Sequence, residues 1–195
     1  MIIGISSKIG CGKTTLSNMF LKRHPEYDRI GFADVVKEEC SRIFNYPIEW
    51  NYSEEGKEIS VFNELLPVKS MTVREVLQWW GTDVCRAKDP DYWVNKMQEK
   101  ALTVYMKDPL VDVPKIIIDD VRFINEAEWV KSKGGKIVRL NPYPEWKPGK
   151  FSDHESEINL DFYNGFDLVL SPKFGELRSC LLEIEKLIDT KYQKE

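Results

Sequence analysis

Histidine and cysteine are scarce in this 195-residue sequence, at two and four residues. Cys11, Cys40, Cys85 and Cys180 stand far apart with no C-x-x-C spacing, and His24 and His154 do not cluster with them. That argues against a zinc site and reads as free thiols of a reducing cytosol. Long apolar runs are missing as well. The opening Met1-Ile2-Ile3-Gly4-Ile5-Ser6 is too short for a signal peptide or a membrane span, so a cytoplasmic protein with no membrane partner is expected. Positive charge is not in excess: 28 Lys and Arg against 32 Asp and Glu leave a net charge of −4. A protein that grips nucleic acid through a broad basic surface is thereby disfavoured, while a small anion in a locally basic pocket is not. Internal repeats and low-complexity tracts are absent too.

What is present is globular: 42% apolar and 31% charged residues. The length suits a single domain over 1–195, able to bury about 70% of its unfolded surface without staples. Short apolar runs alternate with helical periodicity. Ile2 to Ser6, Arg29 to Ala33, Lys115 to Asp119, Lys136 to Leu140 and Phe166 to Leu170 read as strands. Helices are expected over Lys13 to Arg23, from a cap at Asp34 to about Phe44, from Thr72 to near Gly81 or soon after, and from Asp91 to about Met106. Two more run from Glu126 to a stop at Gly134-Gly135 and from Phe174 to Lys191. The order implies an α/β fold: a parallel sheet of about five strands with helices on both faces. Residues 34–106 form an inserted helical region and 141–157 a lid and contact loop. Pro47 to Ser70 reads as an insertion or cover, because it breaks the pattern yet keeps Trp50, Tyr52 and Phe62. In such sheets ligands lie beyond the carboxyl ends of the strands, here Ser6, Ala33, Asp119, Leu140 and Leu170.

The motifs fall beside those ends. Ser7-Lys8-Ile9-Gly10-Cys11-Gly12-Lys13-Thr14 matches the phosphate-binding loop at every fixed position but the first, where Ser7 replaces glycine. Gly10 and Gly12 let backbone N–H groups of the loop, Cys11 included, wrap an anion. Lys13 would reach the β and γ oxygens, Thr14 would put a hydroxyl on Mg²⁺ and Thr15 would add an α-phosphate contact. A Gly-rich turn that binds nothing is the rival, weakened by the strand before and the helix after. Asp119-Asp120-Val121-Arg122 ends the isoleucine strand, offering carboxylates for Mg²⁺ or its waters and an Arg for a second phosphate. Its rival is a solvated turn. In Thr72 to Gln78, Arg74 and Gln78 share a helix face and suit a phosphate and a base edge, unless the helix is merely exposed. Trp79, Trp80 and Trp93 read as core. Asp153 beside His154 invites a general-base role, but phosphoryl transfer needs positioning more than a base, and His154 is not assigned as catalytic.

In order along the chain, these residues resemble the bacteriophage deoxynucleoside monophosphate kinases, P-loop enzymes of the nucleoside-monophosphate-kinase class. The likeness comprises the P-loop, Phe32-Ala33-Asp34 with Lys37, and Thr72 to Gln78 leading to Gly81-Thr82-Asp83 and Arg86. Trp93-Val94, Asp119 to Phe123 with Asn125-Glu126-Ala127, Gly134-Gly135 and Asp153 to Glu157 follow. The resemblance implies transfer of the ATP γ-phosphate to a deoxynucleoside 5′-monophosphate with Mg²⁺, in the host cytoplasm if the chain is viral. It implies Lys13 and Thr14 on the ATP and metal side, and Lys37, Arg74 and Arg122 as the acceptor-phosphate clamp. Asp34 and Asp119 become organisers of acceptor or hydrated metal, Gln78 and Glu157 base or sugar contacts, and Trp146 with Lys147 and Lys150 the lid. On closure Arg139, Lys147 or Lys150 is expected to reach the transferring phosphoryl. Thr14 departs from relatives that carry an acidic residue there, and from Pro47 to Ser70 no residue role is carried over from the family.

Two alternatives stay open. One is a related P-loop kinase with another acceptor, such as a modified base in DNA or dephospho-coenzyme A. The other is a nucleotide-dependent switch, for which a second cationic set would have no use; the guanine-reading Asn-Lys-x-Asp motif is absent. The expected partners are small nucleotides without stable nucleic-acid binding, and the aromatic content of 47–70 leaves room for a homodimer.

Overall fold

The computed structural model describes residues 1–107, 115–148 and 155–189. Its coordinates divide into two compact units: Met1–Gly31 with Thr103–Glu195, and Phe32–Leu102.

The first unit is built on β1 (Ile2–Ser7), every residue of which is buried. A strand buried on both faces reads as a continuous apolar run, and it needs a parallel partner on each side to satisfy its backbone. Those partners are β5 (Ile116–Ile118), in register Ile3 to Ile117, and β6 (Lys136–Leu140), in register Ile5 to Val138. β2 (Asp28–Arg29) pairs outside β5 and β7 (Leu168–Leu170) outside β6, which gives the order β2-β5-β1-β6-β7. All four pairings are parallel, so this is the expected α/β sheet. Ile3, Ile5, Ile117 and Val138 pack with Leu16 and Phe20 of α1 (Lys13–Arg23) and with Leu181 and Ile184 of α8 (Leu177–Asp189). α6 (Ile124–Ser132) ends at the glycine pair, where the Gly135 N–H donates to the Val130 carbonyl at 3.0 Å.

The second unit holds α2 (Phe32–Phe44), a 3₁₀ turn over Ile48–Tyr52, α3 (Glu54–Lys57) and the hairpin β3 (Ser60–Val61) with β4 (Met71–Thr72). α4 (Val73–Gln78), a π-helical stretch over Trp79–Arg86 and α5 (Tyr92–Lys107) complete the element order. Its core is Cys40, Phe44, Tyr46, Val61, Leu66, Val73 and Val76. The stretch 47–70 therefore contributes Val61 and Leu66 to a core, while Phe62, Leu65 and Val68 stay exposed. Thr72 caps α4 as a full capping box, its hydroxyl accepting from Glu75 N–H and its own N–H donating to the Glu75 carboxylate.

Several boundaries differ from those read in the sequence. Arg29 to Ala33 is not one strand: pairing stops at Arg29, and α2 begins at Phe32 because Phe32, Val35, Cys40 and Phe44 continue one buried helical stripe. Asp34 consequently sits inside the first turn of α2 rather than flanking it. The helix from Thr72 continues past Gly81 to Arg86 by widening to a π-helix from Trp79, and the Gly81 carbonyl accepts the Trp93 indole N–H at 2.8 Å. Trp93 is core, as read, and Trp79 and Trp80 pack partly buried against the second unit's core. The closing helix starts at Leu177, three residues beyond exposed Phe174. All four cysteines are buried free thiols. Among the described residues no helix is long and apolar enough to cross a membrane.

A β-carbon on Gly135 would stand 2.8 Å from both the Ile2 carbonyl oxygen of β1 and the Val130 carbonyl oxygen of α6, so relief must come from the strand edge or from the end of that helix. Gly135→Ala is expected to cost about 1–3 kcal/mol, the usual range for overpacking, read as a lower urea midpoint with unchanged slope.

Candidate active site

The phosphate loop leaves β1 directly. Ser7 is the last residue of that strand, paired with Leu140, and its φ is not positive. The first motif position is strand backbone here and asks nothing of glycine, so serine fits in its place without strain. Gly10 and Gly12 do need their freedom, with φ of +77° and +87°. Gly12 is the residue before α1, so the loop delivers the chain straight into a helix whose first N–H groups face outward. Thr14 and Thr15 lie exposed on that first turn.

Side chains from the same unit hold the loop. The Glu157 carboxylate, in α7 (Glu155–Ile158) and only 5% exposed, accepts the Ile9 N–H at 2.8 Å through one oxygen and the Arg122 guanidinium through the other. Lys8 Nζ donates to the Glu157 carbonyl at 2.5 Å and pairs with Asp161 at 2.6 Å. The Trp146 indole N–H donates to the Ile9 carbonyl at 2.9 Å. Arg122 is fixed at its backbone too, because buried Glu126 accepts both its N–H at 2.8 Å and that of Phe123 at 3.2 Å.

Lys13 differs from its neighbours. Among the described residues it makes no hydrogen bond or ion pair. Burial, and then repulsion from Arg122, lower its pKa below the ordinary lysine value, with Glu157, Asp120 and Asp119 only partly offsetting them. A desolvated ammonium with no direct partner among the described residues, set at a helix N-terminus, suits an anion. Burial raises the Cys11 thiol despite nearby Lys13 and Arg139, so Cys11 is a neutral packing residue of the loop and not a nucleophile.

At the end of β5, Asp119 is 2% exposed. Arg29 Nε donates to its Oδ2 at 3.1 Å, and Arg29 Nη2 stands 2.8 Å from Oδ1, close enough to pair but off the hydrogen-bonding line. Arg139 lies on the sheet in this structure. It is buried on β6, donates to Ser6 at 2.9 Å and to Asp161 at 2.9 Å, and so ties the sheet to the segment after α7. Lys147 is exposed; Lys150, Asp153 and His154 lie outside the described residues.

The second unit carries its own set. Asp34 is buried in the first turn of α2 with Lys37 Nζ at 3.5 Å, and the same ammonium lies 4.5 Å above the Tyr52 ring. Arg74 donates to Glu54 at 2.7 Å and to Glu58 at 3.0 Å, bonds that raise its pKa further. Gln78 is exposed one turn along α4. The bridging role of Glu157 and the Arg29 partner of Asp119 were not readable from the sequence; both depend on which strand lies beside which.

The fold and loop define a P-loop phosphate-binding α/β protein. A family model described as deoxynucleotide monophosphate kinase matches residues 48–172, more than half of the chain. The chain belongs to the deoxynucleotide monophosphate kinase family, which makes it a phosphotransferase of the nucleotide-kinase kind. The match takes in Arg74, Gln78, Asp119, Arg122, Trp146 and Glu157 but begins after the phosphate loop, which stands on its own sequence and geometry. A protein of Acanthamoeba polyphaga mimivirus described as "Putative deoxynucleotide monophosphate kinase" is 29% identical, with 87% of each chain covered. Among solved structures, shikimate kinases are similar at low identity. That of Bacteroides thetaiotaomicron is 15% identical with a TM-score of 0.46, covering 97% of this chain and 98% of that one. That of Aquifex aeolicus is 12% identical with a TM-score of 0.49, covering 95% and 96%.

Because folding holds the pKa of Lys13 down, its charged form penalises the fold. That penalty is full below the folded pKa and fades as pH rises through it toward the unfolded value of 10.5. Lys13→Met is therefore expected to raise the thermal midpoint of the ligand-free protein at pH 7, with the gain shrinking in scans toward pH 10.5.

Proposed function

We propose that the chain transfers the γ-phosphoryl group of ATP to the 5′-phosphate of a deoxynucleoside monophosphate, with Mg²⁺, in the cytoplasm. Lys13 is the observation that carries this reading: a desolvated ammonium at the start of α1 that makes no hydrogen bond or ion pair among the described residues, in a chain of a nucleotide-kinase family. The ATP phosphates supply the missing anion, held by the N–H groups from Gly10 to Thr15.

An oxygen of the acceptor phosphate attacks the γ-phosphorus, and the bond from that phosphorus to the β–γ bridging oxygen breaks. The products are ADP and the deoxynucleoside diphosphate. Lys13 neutralises the charge that builds on the β and γ oxygens, and Arg122 that on the transferring group. Asp34, Lys37, Arg74 and Gln78 serve the acceptor. Glu54 and Glu58 hold Arg74 by exposed ion pairs of little strength, at 75% and 64% side-chain exposure, so an acceptor phosphate can displace them. Trp146 closes one side of the phosphate loop, and Lys147 remains as the described cation of the lid.

Mg²⁺ binds through few protein oxygens, keeping waters and substrate phosphates as its other ligands. The residues fit that mode. Thr14 offers an exposed hydroxyl on the first turn of α1, and Asp119 Oδ1 is buried without a hydrogen bond, although the nearby Arg29 favours contact through water over direct ligation. When bound, the ion supplies charge neutralisation at the β and γ oxygens.

ADP release with ATP and Mg²⁺ is to be followed against dAMP, dCMP, dGMP, dTMP, 5-hydroxymethyl-dCMP and the ribonucleotides. ADP is expected with a subset of deoxynucleotides, in step with the matching diphosphate. Lys13→Ala should lower turnover by about 10²–10³-fold, the usual loss when one preorganised charge donor is removed. Acceptor-independent ADP release, or none from protein that binds ATP, would overturn the reading.

A further inference from the structure

Glu157 bonds to two pieces of phosphate-handling machinery at once. One carboxylate oxygen accepts the Ile9 N–H of the phosphate loop, and the other accepts the Arg122 guanidinium. Its carbonyl anchors Lys8, the second residue of the same loop. The carboxylate is almost fully buried, so neither bond is exchanged with water at low cost. Ile9 spends its N–H on Glu157 and its carbonyl on Trp146, so it is braced from outside the loop on both sides.

A carboxylate beside a loop that must attract phosphate repels the ligand, and its presence needs a reason. Charge gives one. Arg122 and Lys13 repel each other, and Arg122 is the largest charge effect lowering the Lys13 pKa. Glu157 acts in the opposite sense on Lys13 and pairs directly with Arg122. It lets two cations share the site while fixing where one of them points.

We propose that Glu157 is a positioning residue that sets Arg122 in register with the phosphate loop, so that nucleotide binding and the aim of the arginine depend on one side chain. For its turnover arm this rests on the kinase reading above; its binding arm does not. The two arms separate by substitution. Glu157→Gln keeps an oxygen for the Ile9 N–H but turns a neutral amide toward Arg122. Glu157→Ala removes both bonds.

The experiment compares wild type, Glu157→Gln, Glu157→Ala, Arg122→Ala and Arg122→Ala/Glu157→Gln, with ATP affinity by calorimetry, turnover under saturating nucleotides and the thermal midpoint of each. ATP affinity in Glu157→Gln should stay within about twofold of wild type, while Glu157→Ala loses about tenfold, as expected for one buried hydrogen bond left unmade. Turnover in Glu157→Gln should fall by at least tenfold without a matching rise in the KM for ATP. The double variant should be no slower than Arg122→Ala within about twofold, because residues acting as a unit are not additive. A merely structural glutamate would instead lower affinity, turnover and thermal midpoint together in both Glu157 variants, and additive losses in the double variant would equally overturn the proposal. If wild type turns over no acceptor, the kinase reading fails. Affinity then decides: loss in Glu157→Ala with retention in Glu157→Gln sustains Glu157 as the brace of the loop, and equal loss or none refutes it.

Discussion

Parallel pairing of β1 on both edges is the constraint from which the site follows. With every residue buried and both edges bonded, β1 can neither slide nor twist apart from β5 and β6 without exposing Ile3 and Ile5. Its carboxyl end is thereby fixed, and so is the point where the phosphate loop begins. Asp119 closes the described end of β5 and Arg139 lies beside Ser6 on β6. The sheet order thus brings together residues more than a hundred positions apart, as is usual for ligand sites at the carboxyl ends of parallel strands.

Charge is distributed economically around that end. Lys8 and Arg139 share Asp161, Arg29 is paired with Asp119, and Arg122 with Glu157. These pairs are partly or largely buried, and removing one partner would strand a charge out of water. They shape and brace the site. Lys13 stands apart: it has no direct partner among the described residues, and the nearby carboxylates only partly offset its burial and the repulsion from Arg122. Among the described residues the paired arginines thus contrast with a lysine that has no direct partner, which is the feature on which the proposed binding role of Lys13 rests.

In the second unit the emphasis is reversed. Arg74 is held by exposed carboxylates on α3 and just after it, which a phosphate can replace at little cost, whereas Glu39 is locked by the Trp80 indole and the Tyr92 hydroxyl. Burial and its hydrogen bond to Glu39 push the Tyr92 phenol well above its ordinary pKa, so it remains a neutral donor. The rigid polar network supports the π-helical stretch, and the loosely held arginine lies on the face of α4 that also bears Gln78.

Local chemistry was legible in the sequence. The apolar runs of Ile2 to Ser6 and Ile116 to Ile118, the glycines of the phosphate loop, the Thr72 cap and the Gly134-Gly135 stop each act within a few residues, so spacing alone reveals them. Boundaries governed by packing were not: α2 starts at Phe32 because a buried stripe claims it, and the π-helical stretch that follows α4 runs from Trp79 through Gly81, whose carbonyl is taken by Trp93, twelve residues on. The site divides in the same way. The role proposed for Lys13 could be read from the loop that carries it, whereas the places of Glu157, Arg29 and Arg139 were decided by the tertiary structure. An ion pair between strands or across a loop depends on which elements become neighbours, and neighbourhood is settled by burying the sheet, not by the residues on either side in the chain.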